Sequence, residues 1–335
     1  MTNATNALIS VDDFHQTAEA ILAEVGRVIV GQTPVVRQVI MCVIIGGHAL
    51  LEGVPGLGKT MLIRTLADVL DLKFSRIQFT PDMMPADIIG TNIMEEGEDG
   101  RRYFRFEAGP VFANLVLADE INRATPKTQS ALLEAMQEKT VTVANQRYQL
   151  DLPFFVLATQ NPLEMEGTYP LPEAQLDRFL FKVDVAFPST SELVEIMDRT
   201  TGSTTPHARV AADGQRILAM GELARQVPVA SHVSRYAAEL VTATHPDEDM
   251  PAASLVRQYV RYGASPRGAQ ALILGAKVNA LLEGRYNVAF EDVQAVSYAA
   301  LRHRLILNFE AQAEGIQSDI VISDLLERVP IPAGA

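Results

Sequence analysis

Several residue types are scarce in this chain of 335 residues. It has no tryptophan and a single cysteine, Cys42, so a fold held by internal disulfides is excluded. Its longest mostly apolar run, Val39 to Leu51, is interrupted by glycines and a histidine and is shorter than the roughly 20 residues that a membrane-spanning helix needs. Residues 1–10 lack the basic start and apolar run of an export signal. We therefore expect no membrane span and a cytoplasmic location.

Basic residues are also in deficit. The chain has 28 Lys and Arg against 41 Asp and Glu, which gives a formal net charge of −13. Proteins that bind nucleic acid usually present a basic face to the phosphates, so nonspecific nucleic-acid binding is disfavoured, although a local basic stripe remains compatible with this total. Hydrophobic residues make up 48% of the sequence, enough for about two domains with sizeable cores.

The first half of the sequence alternates helix-like and strand-like patterns. Apolar spacing typical of helices covers 11–26, 31–45 and 59–70. Five short runs, nearly continuous in apolar residues, are typical of strands: 48–52, 74–79, 115–119, 154–159 and 179–185. Strands of this kind are normally buried on both faces, which predicts an α/β domain with a mostly parallel sheet between helices.

Two stretches interrupt this alternation. Residues 88–112 and 139–150 each contain alternating residues on both sides of a polar turn, which predicts two hairpins inserted into the α/β core. After residue 188 the strand signals stop, and Ser265-Pro266 marks the start of a long helix. We therefore predict an α/β core over residues 1–188 and a small helical domain over residues 189–335.

The most specific motif is Gly53-x-x-x-x-Gly58-Lys59-Thr60, which follows a predicted strand and precedes a predicted helix. Its glycines let backbone N–H groups point at phosphate oxygens, the lysine reaches the outer phosphates, and the threonine hydroxyl can bind Mg²⁺. A chance glycine-rich turn is the alternative, and the full spacing in this context argues against it. The predicted nucleotide contacts are Gly53, Val54, Pro55, Gly56, Leu57, Gly58, Lys59, Thr60 and Met61.

A second motif, which is acidic, completes the predicted site. Asp119 ends an apolar strand, where it can hold Mg²⁺ through water, and Glu120 can act as the general base that polarises the attacking water. An acidic helix cap would be the better interpretation of these residues if the upstream phosphate loop were absent. The sequence has no Asn-Lys-x-Asp motif for reading guanine, so ATP with Mg²⁺ is the expected cofactor pair.

The chain resembles the MoxR group of AAA+ ATPases over essentially its whole length. Five blocks in the same order carry this resemblance: Gly53–Thr60, Gly109–Asn114, Ala118–Ala124, Ala158–Pro162 and Pro172–Phe179. The resemblance implies an AAA+ core with a mostly parallel sheet and inserted hairpins, followed by a small all-α lid. It also implies a homo-oligomeric ring, commonly a hexamer, with ATP bound between neighbouring subunits.

The resemblance assigns roles to residues that are ambiguous by themselves. Asn161 would be the sensor that orients the attacking water, although Asn-Pro alone is a common turn. Arg178 would be the arginine finger of a neighbouring subunit, whereas Asp177-Arg178 alone would suggest an ion pair with a carboxylate. Arg267 would be the sensor 2 arginine, which contacts the nucleotide bound by its own subunit and otherwise would be a surface arginine.

Two further features follow from the same resemblance. Val30 and Gly31 match the segment that lies near the adenine, although in isolation they would be a loop between helices. The two hairpins match the helix 2 and pre-sensor 1 insertions of the MoxR and magnesium chelatase branch. In that branch these insertions usually face the ring pore or the substrate, while ordinary surface loops are an equally good interpretation from sequence.

The expected function is a chaperone-like ATPase that remodels partner proteins or loads them with metal or cofactor. The resemblance suggests proteins with a von Willebrand factor A domain as partners. Three alternatives are a DNA-directed AAA+ motor, which the acidic balance opposes, the ATPase subunit of a magnesium chelatase, and a scaffold that binds ATP without hydrolysing it.

Overall fold

The computed structural model describes residues 9–54, 56–96, 98, 100–160, 167–202, 206–246 and 254–332. The helices are α1 (Val11–Val28), α2 (Thr33–Ile45), α3 (Lys59–Val69), α4 (Pro85–Ile89), α5 (Pro126–Glu138), α6 (Glu173–Leu176), α7 (Thr190–Thr201), α8 (Gly214–Gln226), α9 (Ser231–Thr242), α10 (Ser254–Tyr259), α11 (Pro266–Leu282), α12 (Phe290–Leu301), α13 (Phe309–Glu314) and α14 (Ser318–Arg328). The strands are β1 (Ala49–Glu52), β2 (Phe74–Gln78), β3 (Gly90–Glu96), β4 (Arg102–Ala108), β5 (Leu115–Asp119), β6 (Thr140–Val143), β7 (Gln146–Gln149), β8 (Phe155–Gln160), β9 (Phe181–Asp184), β10 (Val260–Tyr262) and β11 (Ile306–Leu307).

A five-stranded parallel sheet forms the centre of the first half of the chain. Its strand order is β2-β5-β8-β1-β9, and every pair in it is parallel. The middle strand residues are fully buried, as in Leu115 to Ala118, because helices cover both faces. All five predicted strands are present, and the predicted α/β sheet is confirmed. Their carboxyl ends meet at one edge, where loops can form a ligand site.

The two predicted hairpins are present. Strands β3 and β4 pair antiparallel, and so do β6 and β7. The hairpins contact each other through Phe106 and Tyr148, whose stacked rings lie 3.9 Å apart between centroids. Near the tip of the first hairpin, Met94 and Phe104 form an exposed cross-strand pair, 59% and 70% accessible.

Helices dominate the chain after β9. Helix α11 begins after Ser265, whose side-chain oxygen accepts a hydrogen bond from the N–H of Arg267 at 3.1 Å, as the sequence predicted. Strands β10 and β11 form a short antiparallel ribbon that sequence reasoning missed, because segments of three and two residues are too short to show a period. Helices α1 and α2 pack against α11, so the boundary near residue 189 stays a prediction. Within the described residues, no helix has the length and apolar character to cross a membrane.

One buried histidine at the amino end of β1 links the sheet to α5. The His48 Nε2 lies 3.0 Å from the carbonyl oxygen of Met136, and the backbone N–H of Val156 donates to its Nδ1 at 3.0 Å. The ring therefore serves as a donor on one side and an acceptor on the other, which requires the neutral form. Burial lowers the pKa of His48 to about 4.

This histidine makes the stability of the protein depend on pH. Its pKa is lower in the folded state than in the unfolded chain, so unfolding takes up a proton and stability is lost as pH falls from about 6.5 towards 4. We expect His48 to contribute about 3 kcal/mol to this loss between pH 7 and pH 4. Denaturant unfolding of the wild type and of His48→Gln at pH 7 and at pH 4 measures this contribution. The stability difference between the two proteins should shrink at pH 4, and a constant difference contradicts the assignment.

Candidate active site

The loop between β1 and α3 has the conformation of a phosphate cradle. Gly56 and Gly58 have positive φ values of 86° and 74°, in the left-handed region where residues with a Cβ are strained. No atom lies within 4 Å of a Cβ built at either position, so backbone conformation and not crowding requires glycine there. The loop leads directly into the first turn of α3, where unpaired N–H groups and the helix dipole favour anions. Pro55 lies outside the described residues.

Lys59 begins α3 and points back into the loop. Its Nζ donates a hydrogen bond to the carbonyl oxygen of Gly53 at 2.5 Å. Partial burial lowers the pKa of Lys59, while the charges of Asp119, Glu52 and Glu120 act to raise it. The cation is thus held at the mouth of the loop, close to acidic groups and with its charge only partly solvated, where a phosphate would be strongly attracted.

The two acids at the end of β5 are held by neighbouring strands. The hydroxyl of Thr159 on β8 donates to Asp119 Oδ1 at 2.6 Å and accepts from the backbone N–H of Glu120 at 2.9 Å. Glu120 has a φ of 56°, and this left-handed backbone turns its side chain away from the strand direction. The side-chain amide of Gln78 donates to Glu120 Oε2 at 2.9 Å, and the Arg123 Nε lies 3.2 Å from the same oxygen.

These residues enclose a cavity of about 390 Å³ at the carboxyl edge of the sheet. It is lined by Gly56, Leu57, Gly58, Lys59, Thr60, Arg76, Gln78, Asp119, Glu120, Thr159 and Gln160. Hydroxyl and carboxylate oxygens are hard ligands suited to Mg²⁺, and both occur here as Thr60 and Asp119. The donor set therefore fits a magnesium ion with a phosphate chain: Thr60 and Asp119 would hold the metal, which would neutralise phosphate charge.

A second, mainly apolar cavity of about 310 Å³ adjoins the first and shares Gly56, Leu57 and Gly58 with it. Its lining residues are Val28, Ile29, Val30, Gln32, Gly56, Leu57, Gly58, Met61, Phe187, Pro188, Leu193, Ile196, Arg199 and Thr200. An apolar pocket beside a phosphate cradle fits a nucleobase. The predicted contacts Val30 and Met61 lie in it, whereas the contribution of α7 was missed, because α7 is distant in sequence.

Gly31 and Gln32 fix the loop between α1 and α2 beside this pocket. Gly31 has a φ of 63°, and a Cβ there would lie 2.1 Å from the Glu192 Oε1 of α7. The side-chain amide of Gln32 donates to the carbonyl oxygen of Leu57 at 3.1 Å, which joins this loop to the phosphate loop. Arg199 on α7 donates to the carbonyl oxygen of Arg27 at 2.6 Å and closes the pocket from the other side.

The two predicted arginines lie elsewhere, and they lie together. Arg178 and Arg267 both line a small depression at His48, the residue that precedes β1. Arg178 likewise precedes β9, and the backbone N–H of Leu180 donates to the carbonyl oxygen of His48. Both arginines therefore sit at the amino ends of parallel strands, while the phosphate loop follows their carboxyl ends. The five-residue rise from His48 to Gly53 is about 16 Å, longer than an arginine side chain.

The predicted nucleotide contact of Arg267 can be compared with where its side chain lies in the single chain. The resemblance predicts contact with the nucleotide of its own subunit; Arg267 lines neither of the two cavities at the phosphate loop and instead lines the depression at His48. The cause is Asp177, which accepts hydrogen bonds from Ser265 at 2.9 Å and from Arg304 at 2.8 Å. These contacts attach the start of α11 to the segment before β9, with Arg267 NH1 3.8 Å from Asp177.

Arg178 is oriented by a hydrogen bond within its own chain. Its NH1 donates to the carbonyl oxygen of Leu133 on α5 at 3.0 Å, and its guanidinium lines a polar surface cavity of about 570 Å³. Asn161, the predicted sensor, lies outside the described residues. The preceding residue, Gln160, ends β8 and lines the phosphate cavity.

Comparisons with known proteins agree with this geometry. Residues 48–181 match the ATPase family associated with various cellular activities (AAA), and residues 252–325 match the AAA lid domain. The chain is 46% identical to Chaperone MoxR1 of Mycobacterium tuberculosis, over 94% of this chain and 82% of that protein. It is 32% identical to Protein MoxR of Paracoccus denitrificans, over 97% of this chain and 99% of that protein. A solved structure of a candidate ATPase from Cytophaga hutchinsonii has a TM-score of 0.89 at 42% identity, covering 96% of both chains. Because these matches span both the sheet with its phosphate loop and the helices that follow, the chain belongs to the MoxR family of AAA+ ATPases.

Proposed function

We propose that this protein is a Mg²⁺-dependent ATP hydrolase whose active site is completed by a neighbouring copy of the chain. The observation that carries the proposal is the position of the two arginines. Arg178 and Arg267 lie side by side at one edge of the sheet, while the phosphate cavity lies at the other edge. A head-to-tail interface between identical subunits brings opposite surfaces together, and it forms a ring when the rotation between subunits closes.

Each residue then has a role in hydrolysis. The loop N–H groups and Lys59 bind the phosphates, Thr60 and Asp119 hold the metal, and Glu120 accepts a proton from the attacking water. Arg178 and Arg267 of the neighbour stabilise charge on the transferred phosphoryl group. Asn161 keeps its proposed role of orienting the water, and the hexameric ring size comes from the family resemblance.

We further propose that the ATPase cycle remodels, matures or loads metal or cofactor into partner proteins. One relative in the same family is named a chaperone. The exposed pair Met94 and Phe104 on the first hairpin offers an apolar contact for a protein client. The net charge of −13 opposes the DNA motor alternative. The expected partners are proteins with a von Willebrand factor A domain, and the single cysteine favours the cytoplasm as the setting.

Affinity capture tests the client class. A tagged Glu120→Gln protein holds ATP without hydrolysing it, whereas Lys59→Ala holds ATP weakly and serves as the matched control. From a native lysate with Mg²⁺ and ATP, we expect Glu120→Gln to retain a protein with a von Willebrand factor A domain in clear excess over Lys59→Ala. Recovery of nucleic acid without such a protein would favour the DNA motor, and recovery of porphyrin-binding subunits would favour the chelatase.

A further inference from the structure

An arginine on the edge strand β2 reaches into the phosphate cavity. Arg76 and Gln78 are two residues apart on β2, so their side chains lie on the same face of the sheet. Gln78 is directly opposite Asp119 in the pairing of β2 with β5. The register therefore places both side chains beside the acids at the end of β5, and both line the phosphate cavity.

The guanidinium of Arg76 occupies one oxygen of Asp119. Its NH2 lies 2.7 Å from Asp119 Oδ2, while Thr159 donates to Asp119 Oδ1 at 2.6 Å. Both carboxylate oxygens of Asp119 thus accept strong hydrogen bonds from protein groups. A hydrated metal ion that takes Asp119 as a partner must compete with Arg76 for Oδ2, since the Thr159 hydroxyl also supports the backbone of Glu120 and is fixed in the sheet.

The same guanidinium is connected to the general base. Arg76 NH2 donates to Gln78 Oε1 at 2.5 Å, and the other end of this amide donates to Glu120 Oε2. Arg76 thereby orients the amide that holds Glu120. If Arg76 turns away from Asp119, Gln78 loses the partner that fixes its amide, and Glu120 is held less tightly.

Arg76 has the freedom and the chemistry to turn. Its side chain is 47% exposed, whereas that of Asp119 is 17% exposed, so the arginine can move while the carboxylate stays in place. A planar guanidinium pairs with phosphate oxygens as well as with carboxylates. We propose that Arg76 is the resident counter-ion of Asp119 and exchanges this carboxylate for a phosphate oxygen when nucleotide and Mg²⁺ bind. This inference rests on the proposed ATPase function.

The exchange predicts how ATP binding depends on Mg²⁺. Without metal, a triphosphate entering the cavity meets Asp119 and Glu120, and Arg76 is a cation that offsets this repulsion. With metal, Mg²⁺ supplies that charge, and the loss of the contact between Arg76 and phosphate is partly offset because Asp119 is freed for the metal. Loss of Arg76 should therefore weaken metal-free binding more than metal-bound binding. The ratio of the dissociation constant in EDTA to that in Mg²⁺ should rise about tenfold, as expected for one charge-assisted hydrogen bond.

Calorimetry with the non-hydrolysable analogue AMP-PNP tests this on the full-length protein. The dissociation constant is measured in EDTA and in Mg²⁺ for the wild type and Arg76→Gln. The matched control is Arg328→Gln, because Arg328 is 48% exposed and lies 2.5 Å from a carboxylate oxygen of Asp324, far along the chain in α14. If Arg76→Gln does not fold by circular dichroism, Arg76→Met, which keeps an unbranched apolar stem, replaces it.

A second measurement follows Mn²⁺ binding to the protein alone by electron paramagnetic resonance. Removing Arg76 frees one oxygen of Asp119, so Arg76→Gln should bind Mn²⁺ more tightly than the wild type, while Arg328→Gln should not. The proposal is wrong if either the EDTA-to-Mg²⁺ ratio or the Mn²⁺ affinity matches the wild type, as a purely structural role for Arg76 would give. A wild type that does not bind AMP-PNP with Mg²⁺ would instead overturn the proposed ATPase function.

Discussion

Glu120→Gln should bind ATP with near wild-type affinity and hydrolyse it about 10² to 10⁴ times more slowly, the usual contribution of a general base. The substitution keeps the size and shape of the side chain and removes only its ability to accept a proton. The glutamine oxygen can still accept the hydrogen bond from Gln78 that Glu120 accepts at 2.9 Å. Steady-state phosphate release and calorimetric ATP binding measure the two quantities separately.

Two other variants make this result specific. Lys59→Ala should weaken ATP binding by about 10 to 100 times, because it removes a charged hydrogen-bond donor to the phosphates. Glu291→Gln makes the same chemical change away from the cavity, at an exposed position in the first turn of α12. This control should alter neither the affinity for ATP nor the hydrolysis rate. Unchanged hydrolysis in Glu120→Gln would remove Glu120 from its role as base. A wild type that binds ATP without hydrolysing it would favour the scaffold alternative.

Local features of the sequence predicted most of the fold. The strands were visible because each is a short apolar run buried on both faces, and α11 was visible because Ser265 and Pro266 are a strong cap and first-turn pair. The phosphate loop was visible because its glycines, lysine and threonine are contiguous. Each of these signals lies within a few residues along the chain, so no knowledge of the tertiary fold is needed to read them.

The network around the acids and the position of the lid were not predictable in the same way. The contact of Arg76 with Asp119 depends on the register of β2 against β5, and Thr159 supports both acids only because β8 is the other neighbour of β5. The position of Arg267 beside Asp177 depends on Ser265 and Arg304, which converge on Asp177 from distant parts of the chain. Long-range contacts of this kind leave no periodic pattern in the sequence.

The position of the two arginines leads to a mixing experiment with three variants. Arg178→Ala alone should lower the hydrolysis rate by about 10³ to 10⁵ times if it resembles the arginine fingers of GTPases. Mixing inactive Arg178→Ala with inactive Glu120→Gln should restore part of the activity. At some interfaces an intact Glu120 in one subunit then faces an intact Arg178 in its neighbour. No restoration would contradict action between subunits.

Mixing Arg178→Ala with Arg267→Ala distinguishes the two possible positions of Arg267. If Arg267 acted on the nucleotide of its own subunit, an Arg178→Ala subunit facing an Arg267→Ala neighbour would have every required group, and activity would return. Both arginines line the same depression, so in the proposed ring they would come from the same neighbour. No pairing of these two variants then supplies both arginines to one phosphate cavity, and we expect no restored hydrolysis. Restoration would show that the lid of each subunit reaches its own nucleotide and would contradict the arrangement described above.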